Sequence, residues 1–152
     1  MPLILGDLQG NLQTEKGMEK GQLLAETQEK ILSTTIKEIT PFGNKLEFNL
    51  AGQVAGALYA GQHIETANVL LKNDGTLEGE FKAIETTKEG DVLVFSAKGV
   101  GKQTGISTAS VEIEALILTQ SKRLAQLNNS WIRIDGTADF GAGDVRLKYY
   151  KL

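Results

Sequence analysis

The feature that most constrains the fold is an apolar side chain at every second position in several short segments. Leu46, Phe48 and Leu50 alternate with polar residues, and a period of two recurs in residues 111–117 and 145–149. In an extended chain this period puts apolar side chains on one face and polar side chains on the other. The pattern predicts half-buried β-strands and an all-β protein.

Turn signals divide the chain into about eight such segments. Asn73-Asp74-Gly75 is the strongest of them, because Asp-Gly tolerates the left-handed conformations that tight hairpins need. Strands joined by short turns form an antiparallel meander, and eight strands are about enough to close a barrel. We predict a single antiparallel β-barrel of about eight strands, with a two-sheet β-sandwich as the alternative.

Two segments depart from the strand pattern. Residues 1–22 contain four glycines and no sustained period, so they are predicted to form an irregular N-terminal arm before a single barrel domain at 23–152. Residues 122–128 space Leu124 and Leu127 three apart, and the asparagines at 128 and 129 make a natural stop, which predicts one short helical turn.

Composition narrows the function classes. The 152 residues include no cysteine, which excludes disulfides, thiolate nucleophiles and Cys-ligated metals. Sixteen basic and nineteen acidic side chains are mixed along the chain, so no basic face for nucleic acid is evident. The apolar run after Pro2 is too short for a secretory signal or a membrane span. We therefore expect a cytoplasmic protein with neither a nucleic-acid nor a membrane partner.

Three segments carry a resemblance to a known fold family. They are LKNDGTLEGEF (71–81), AKGVGKQTG (97–105) and LAQLNNSWIRIDGTADFGAGDVRLKYYKL (124–152). In order and character they resemble small uncharacterised prokaryotic proteins with an allene-oxide-cyclase-like, or calycin-like, barrel. The resemblance implies the fold but transfers no catalytic residue, since one fold hosts unrelated functions.

No established catalytic or metal motif is present. The glycines of residues 99–105 match neither a dinucleotide fingerprint nor a P-loop, because β-like sequence follows them and Gln103 follows Lys102. His63 is the only histidine, so a metal site would need carboxylates from unrelated strands. We therefore expect no metal and no cofactor, and we expect His63 at the surface or the barrel rim.

Candidate ligand-binding residues are the aromatic and imidazole side chains that a barrel could direct inward or place at its mouth. Residues 51–62 carry no charge and are mostly Ala and Gly, which indicates either a bent strand or lumen space for a ligand. Trp131, the only tryptophan, is suited to plugging a barrel end or contacting another subunit. The candidates are Tyr59, His63, Phe95, Trp131 and Tyr149.

Charged residues in the strands occupy the parity opposite the apolar face, so they are predicted on the outside. Three functions fit such a barrel. The first is a binding protein for a small apolar or amphipathic molecule. The second is a cofactor-free isomerase or cyclase, which a buried carboxylate or tyrosine facing a pocket would favour. The third is a homo-oligomeric structural or interaction protein.

Overall fold

The computed structural model describes residues 21–152, which contain eight antiparallel strands in a closed barrel. The strands are β1 (Leu23–Thr40), β2 (Gly43–Gly56), β3 (Ala60–Lys72), β4 (Thr76–Thr87), β5 (Val92–Gln103), β6 (Thr108–Thr119), β7 (Ser130–Asp139) and β8 (Asp144–Lys151). Each strand pairs with the next, and β8 returns to pair with β1. The predicted barrel is therefore confirmed, and the sandwich alternative is excluded.

The segments outside the strands are placed as follows. The predicted helical turn at 122–128 is confirmed as a single 3-10 turn, Ala125–Leu127. Residues 1–20 of the predicted arm lie outside the described residues, while Gly21 and Gln22 hydrogen-bond with Lys151. No helix within residues 21–152 is long and apolar enough to cross a membrane.

As predicted, alternate residues along the strands point into the lumen and out to the surface of the barrel. Along β6, Ile113, Ala115 and Ile117 are buried in the lumen, and the intervening residues lie outside. The charged positions predicted on the outer face do lie there: Glu78, Glu80, Lys82, Glu112, Glu114, Arg133, Asp135, Arg146 and Lys148.

The two ends of the barrel are built differently. The turns after β1, β3, β5 and β7 meet at one end, called here the hairpin end. At the opposite end the β6–β7 connection lies across the barrel, with Leu124 and Leu127 buried. Arg123 holds this connection in place through ion pairs to Glu89 and Asp91, the latter at 2.5 Å.

The β1–β2 hairpin extends beyond the closed part of the barrel. β1 pairs with β8 only over its first half, up to Lys30 opposite Asp144, but pairs with β2 as far as Thr40. Leu32, Ile36 and Ile39 in this extension are largely exposed.

The expectation that copies of the chain associate stays a prediction, which light scattering in solution can test.

Candidate functional site

A cluster of ionisable side chains occupies the lumen. Glu29 comes from β1, His63 and Glu65 from β3, and Glu85 from β4. Their side chains are at most 7% exposed. The expectation of a histidine at the surface or the barrel rim was therefore wrong, because His63 lies on the inward parity of β3 and is enclosed by carboxylates.

The strand register explains how these residues meet. Glu29 and His63 both lie opposite Gly52, the residue of β2 that separates them. Because Gly52 has no side chain, no Cβ stands between them, and Glu29 Oε1 lies 3.4 Å from His63 Nε2. His63 and Glu85 are direct neighbours on β3 and β4.

Both ring nitrogens of His63 have carboxylate partners. Nδ1 lies 2.7 Å from Glu85 Oε2, and Nε2 lies 2.8 Å from Glu65 Oε1. Burial alone would lower the pKa of His63, but the carboxylates of Glu29, Glu65 and Glu85 outweigh burial and raise the pKa to about 12. The ring is therefore held on two sides.

Two tyrosines anchor Glu85. Tyr59 donates a hydrogen bond to Oε1 at 2.5 Å, and Tyr149 donates one to Oε2 at 2.7 Å. Burial, together with the nearby Glu85 carboxylate, raises the pKa of both phenols well above the usual value. Both hydroxyls therefore stay protonated and act as donors that fix the Glu85 carboxylate.

Glu29 is oriented by a neighbour on its own strand. Thr27 donates a hydrogen bond to Glu29 Oε2 at 2.5 Å. The other oxygen, Oε1, is buried and accepts no hydrogen bond from any residue in the range 21–152. Most buried polar atoms in proteins have a partner, so this atom marks a point where the cluster is incomplete.

Glu65 joins the cluster to an apolar cavity of about 60 Å³ on the hairpin side of the barrel. Burial raises the pKa of Glu65 to about 7, against the hydrogen bond from His63, and the negative charge of Glu29 adds to the rise. The wall of the cavity is otherwise mainly apolar and includes Ile31, Phe48, Leu50, Ala67, Val69, Leu77, Phe81 and Ile113.

The cavity does not lie where the small residues of 51–61 suggest. That segment is not one bent strand, because β2 ends at Gly56 and β3 begins at Ala60. Gln53, Ala55 and Ala60 border a groove of about 1000 Å³ instead. Space in the lumen comes from Ala67 and from glycines of β4 and β5.

Four of the five candidate residues lie together in the lumen. Tyr59, His63 and Tyr149 belong to the cluster, and the Phe95 ring packs 5.7 Å from the Tyr149 ring. Trp131 lies apart on the outside of β7 and is 53% exposed, so Leu124 and Leu127 fill the barrel end instead. Whether any of the five binds a ligand stays a prediction.

Sequence reasoning missed the three glutamates, although a signal for one of them was present. Glu85 continues the inward parity of Phe81 and Ala83, which makes it a charged residue on an apolar face. Glu29 and Glu65 stand on strands where both parities mix polar and apolar residues. Their inward direction follows only from the pairing of neighbouring strands.

Comparisons with known proteins give a fold likeness only. No family model and no curated protein matches the chain. A Clostridium acetobutylicum protein of unknown function matches with a TM-score of 0.77 at 13% identity, covering 86% of this chain and 97% of that one. A "beta-barrel like protein" from Acinetobacter baumannii matches with a TM-score of 0.69 at 15% identity, covering 85% and 94%.

A third solved structure, described as an enzyme from Penicillium herquei, matches with a TM-score of 0.60 at 18% identity, covering 90% of this chain and 98% of that one. Identities this low carry the fold and no function. The chain thus shares its barrel with uncharacterised bacterial proteins, and the likeness to allene oxide cyclases stays a prediction.

Proposed function

We propose that the barrel binds a small amphipathic molecule in its lumen, with the polar group of the molecule at Glu65. The observation that carries this proposal is the division of the lumen into an apolar cavity and a buried polar cluster that meet at Glu65. Binding sites for small molecules typically combine an apolar wall with a few convergent polar groups.

The size of the cavity limits the ligand. Ligand pockets usually measure about 300–1000 Å³, whereas this cavity measures about 60 Å³. The cavity therefore accepts a compact group of a few heavy atoms, and a larger molecule would leave its remainder at the hairpin end. A hydroxyl group suits the polar position, because it can donate a hydrogen bond to the Glu65 carboxylate.

The first prediction uses isobutanol as a probe. Isobutanol should shift the methyl NMR signals of Val69, Leu77 and Ile113, whose side chains line the cavity. Isobutyl chloride has a similar shape without the hydroxyl proton and should bind more weakly. Ala67→Leu fills the cavity from β3 and should abolish these shifts.

The control for this experiment is Asn68→Leu, which makes a similar change on the exposed outer face of β3. This variant should bind isobutanol like the unmodified chain. Ligand binding in the lumen would be contradicted if Ala67→Leu retained the same methyl shifts, or if only outer-face signals moved.

A second candidate function is an isomerase or cyclase. A carboxylate at the wall of an apolar cavity is placed to take a proton from a bound substrate. The buried carboxylates and tyrosines of the cluster favour this function, and the Penicillium herquei barrel is described as an enzyme.

The test of this candidate is carbon-bound hydrogen exchange in D₂O. Hydroxyacetone incubated with the protein should gain deuterium faster than the buffer reaction, and Glu65→Gln should return the rate to that of the buffer. Equal rates with and without the protein would remove the support for proton abstraction from this class of substrate. Such a result would leave the isobutanol experiment unaffected, so the two functions can be separated.

A further inference from the structure

We propose that Glu29, His63 and Glu65 form a binding site for a divalent first-row transition-metal ion, with Zn²⁺ as the best-fitting probe. Each of the three residues offers one ligand atom, and these atoms lie within 4.8 Å of one another. The inference goes beyond the proposed function, because it requires neither ligand uptake nor turnover.

The spacing of the three atoms suits a metal ion. His63 Nε2 lies 2.8 Å from Glu65 Oε1 and 3.4 Å from Glu29 Oε1. Zn²⁺ binds nitrogen and oxygen at about 2.0–2.2 Å, so the ligand atoms of a tetrahedral site stand roughly 3.3 Å apart. The Glu29 pair already has this spacing, and widening the Glu65 pair by about half an ångström would give it the same spacing.

An independent observation is that Glu29 Oε1 accepts no hydrogen bond from residues 21–152. This oxygen is buried and lies 3.4 Å from His63 Nε2, beyond the usual length of a hydrogen bond. Thr27 occupies the other oxygen and so directs Oε1 toward His63. A cation at this position would give Oε1 the close partner that the His63 ring does not provide.

The surroundings of His63 are those of a metal ligand. Coordination at Nε2 requires its lone pair, so Zn²⁺ would displace the Nε2 proton of the imidazolium to solvent and leave the other ring proton on Nδ1, which lies 2.7 Å from Glu85 Oε2. Metal-binding histidines almost always donate their other N–H to a carboxylate, a carbonyl or water. Here Tyr59 and Tyr149 in turn fix that carboxylate.

The charge and the number of ligands favour transition metals over Mg²⁺ and Ca²⁺. Among residues 21–152, three buried carboxyl groups face a single imidazole, so a dication would offset the excess negative charge of this cluster. Mg²⁺ and Ca²⁺ prefer six or more oxygen ligands, whereas one imidazole and two carboxylates suit Zn²⁺, Mn²⁺ or Fe²⁺. Three protein ligands leave a fourth position, as in catalytic zinc sites.

The chain offers a clean test because it has one histidine and no cysteine. Full-length protein is stripped with a chelator, labelled with ¹⁵N-histidine and titrated with Zn²⁺. One equivalent should move the His63 Nε2 resonance and leave Nδ1 protonated, while Mg²⁺ at the same concentration should move neither. An unchanged imidazole spectrum at a stoichiometric excess of Zn²⁺ would overturn the proposal.

Calorimetric Zn²⁺ titrations of three variants test where the ion binds. Glu29→Gln should weaken Zn²⁺ binding at least tenfold, and Glu85→Gln should weaken it about 10–100-fold through loss of the His63 partner. Glu114→Gln changes a half-buried glutamate on the outer face and should bind like the unmodified chain. Equal affinities in all three variants would place the ion elsewhere and refute the site. If Glu29→Gln or Glu85→Gln does not fold, the imidazole spectrum of the unmodified chain decides.

Discussion

Replacing His63 with leucine is expected to lower the free energy of unfolding by about 3–5 kcal/mol in the presence of a chelator. Leucine fills a similar volume but pairs with none of the three carboxylates that surround the ring at 2.7–3.4 Å. Those carboxyl groups would be left buried next to one another, and they must take up protons or draw water into the lumen. Urea denaturation followed by circular dichroism measures the loss.

Gln62→Leu is the matched control, since its side chain points outward from the neighbouring position of β3 and borders the outer groove. It should change the free energy of unfolding by less than about 0.5 kcal/mol. Adding Glu85→Gln to His63→Leu removes one buried carboxylate and should recover part of the loss. If His63→Leu lowered the free energy of unfolding by less than about 1 kcal/mol, pairing with the imidazole would not be what stabilises the buried carboxylates.

The barrel could be predicted from the sequence because its evidence is local. An alternation such as that of residues 111–117 shows which side chains share a face, and a turn such as Asp74-Gly75 shows where a strand reverses. The turn ends in Gly75 at φ 88°, a left-handed conformation that glycine adopts without strain. Eight strands of this kind are about the number at which an antiparallel sheet closes into a barrel, so the strand count predicts the closure.

The candidate site could be predicted only in part because it depends on register. Tyr59, His63 and Tyr149 are recognisable by residue type, but the distance between Glu29 and His63 is set by their shared opposition to Gly52. A shift of one residue in the β1–β2 pairing would turn Glu29 to the outer face, and the same shift in the β2–β3 pairing would turn His63 outward. Sequence reasoning had no means to find that register, so it gave His63 no buried partners.

Gly52→Ala is expected to cost about 3 kcal/mol or more, although a Gly-to-Ala change usually stabilises a compatible position by about 0.4–1 kcal/mol. A Cβ at residue 52 would stand 2.0 Å from the carbonyl oxygen of Gln28 and 2.7 Å from the Cα of Glu29. Both are backbone atoms of β1, so no side-chain rotation relieves the overlap. The two strands must separate, and the free energy of unfolding should fall in urea titrations.

Gly79→Ala separates this effect from any general response to alanine in a strand. Gly79 also faces inward, but its new Cβ would meet the tip of the Phe81 ring at 2.8 Å and its nearest backbone atom, the carbonyl oxygen of Asn68, only at 3.3 Å. A shift of one side chain therefore relieves most of the overlap. The change should therefore stay within about 1 kcal/mol. Because Gly52 alone separates Glu29 from His63 across β2, Gly52→Ala should also weaken Zn²⁺ binding, whereas Gly79→Ala should not. Equal losses of stability in the two variants would show that the close approach of β1 and β2 does not depend on a glycine at residue 52.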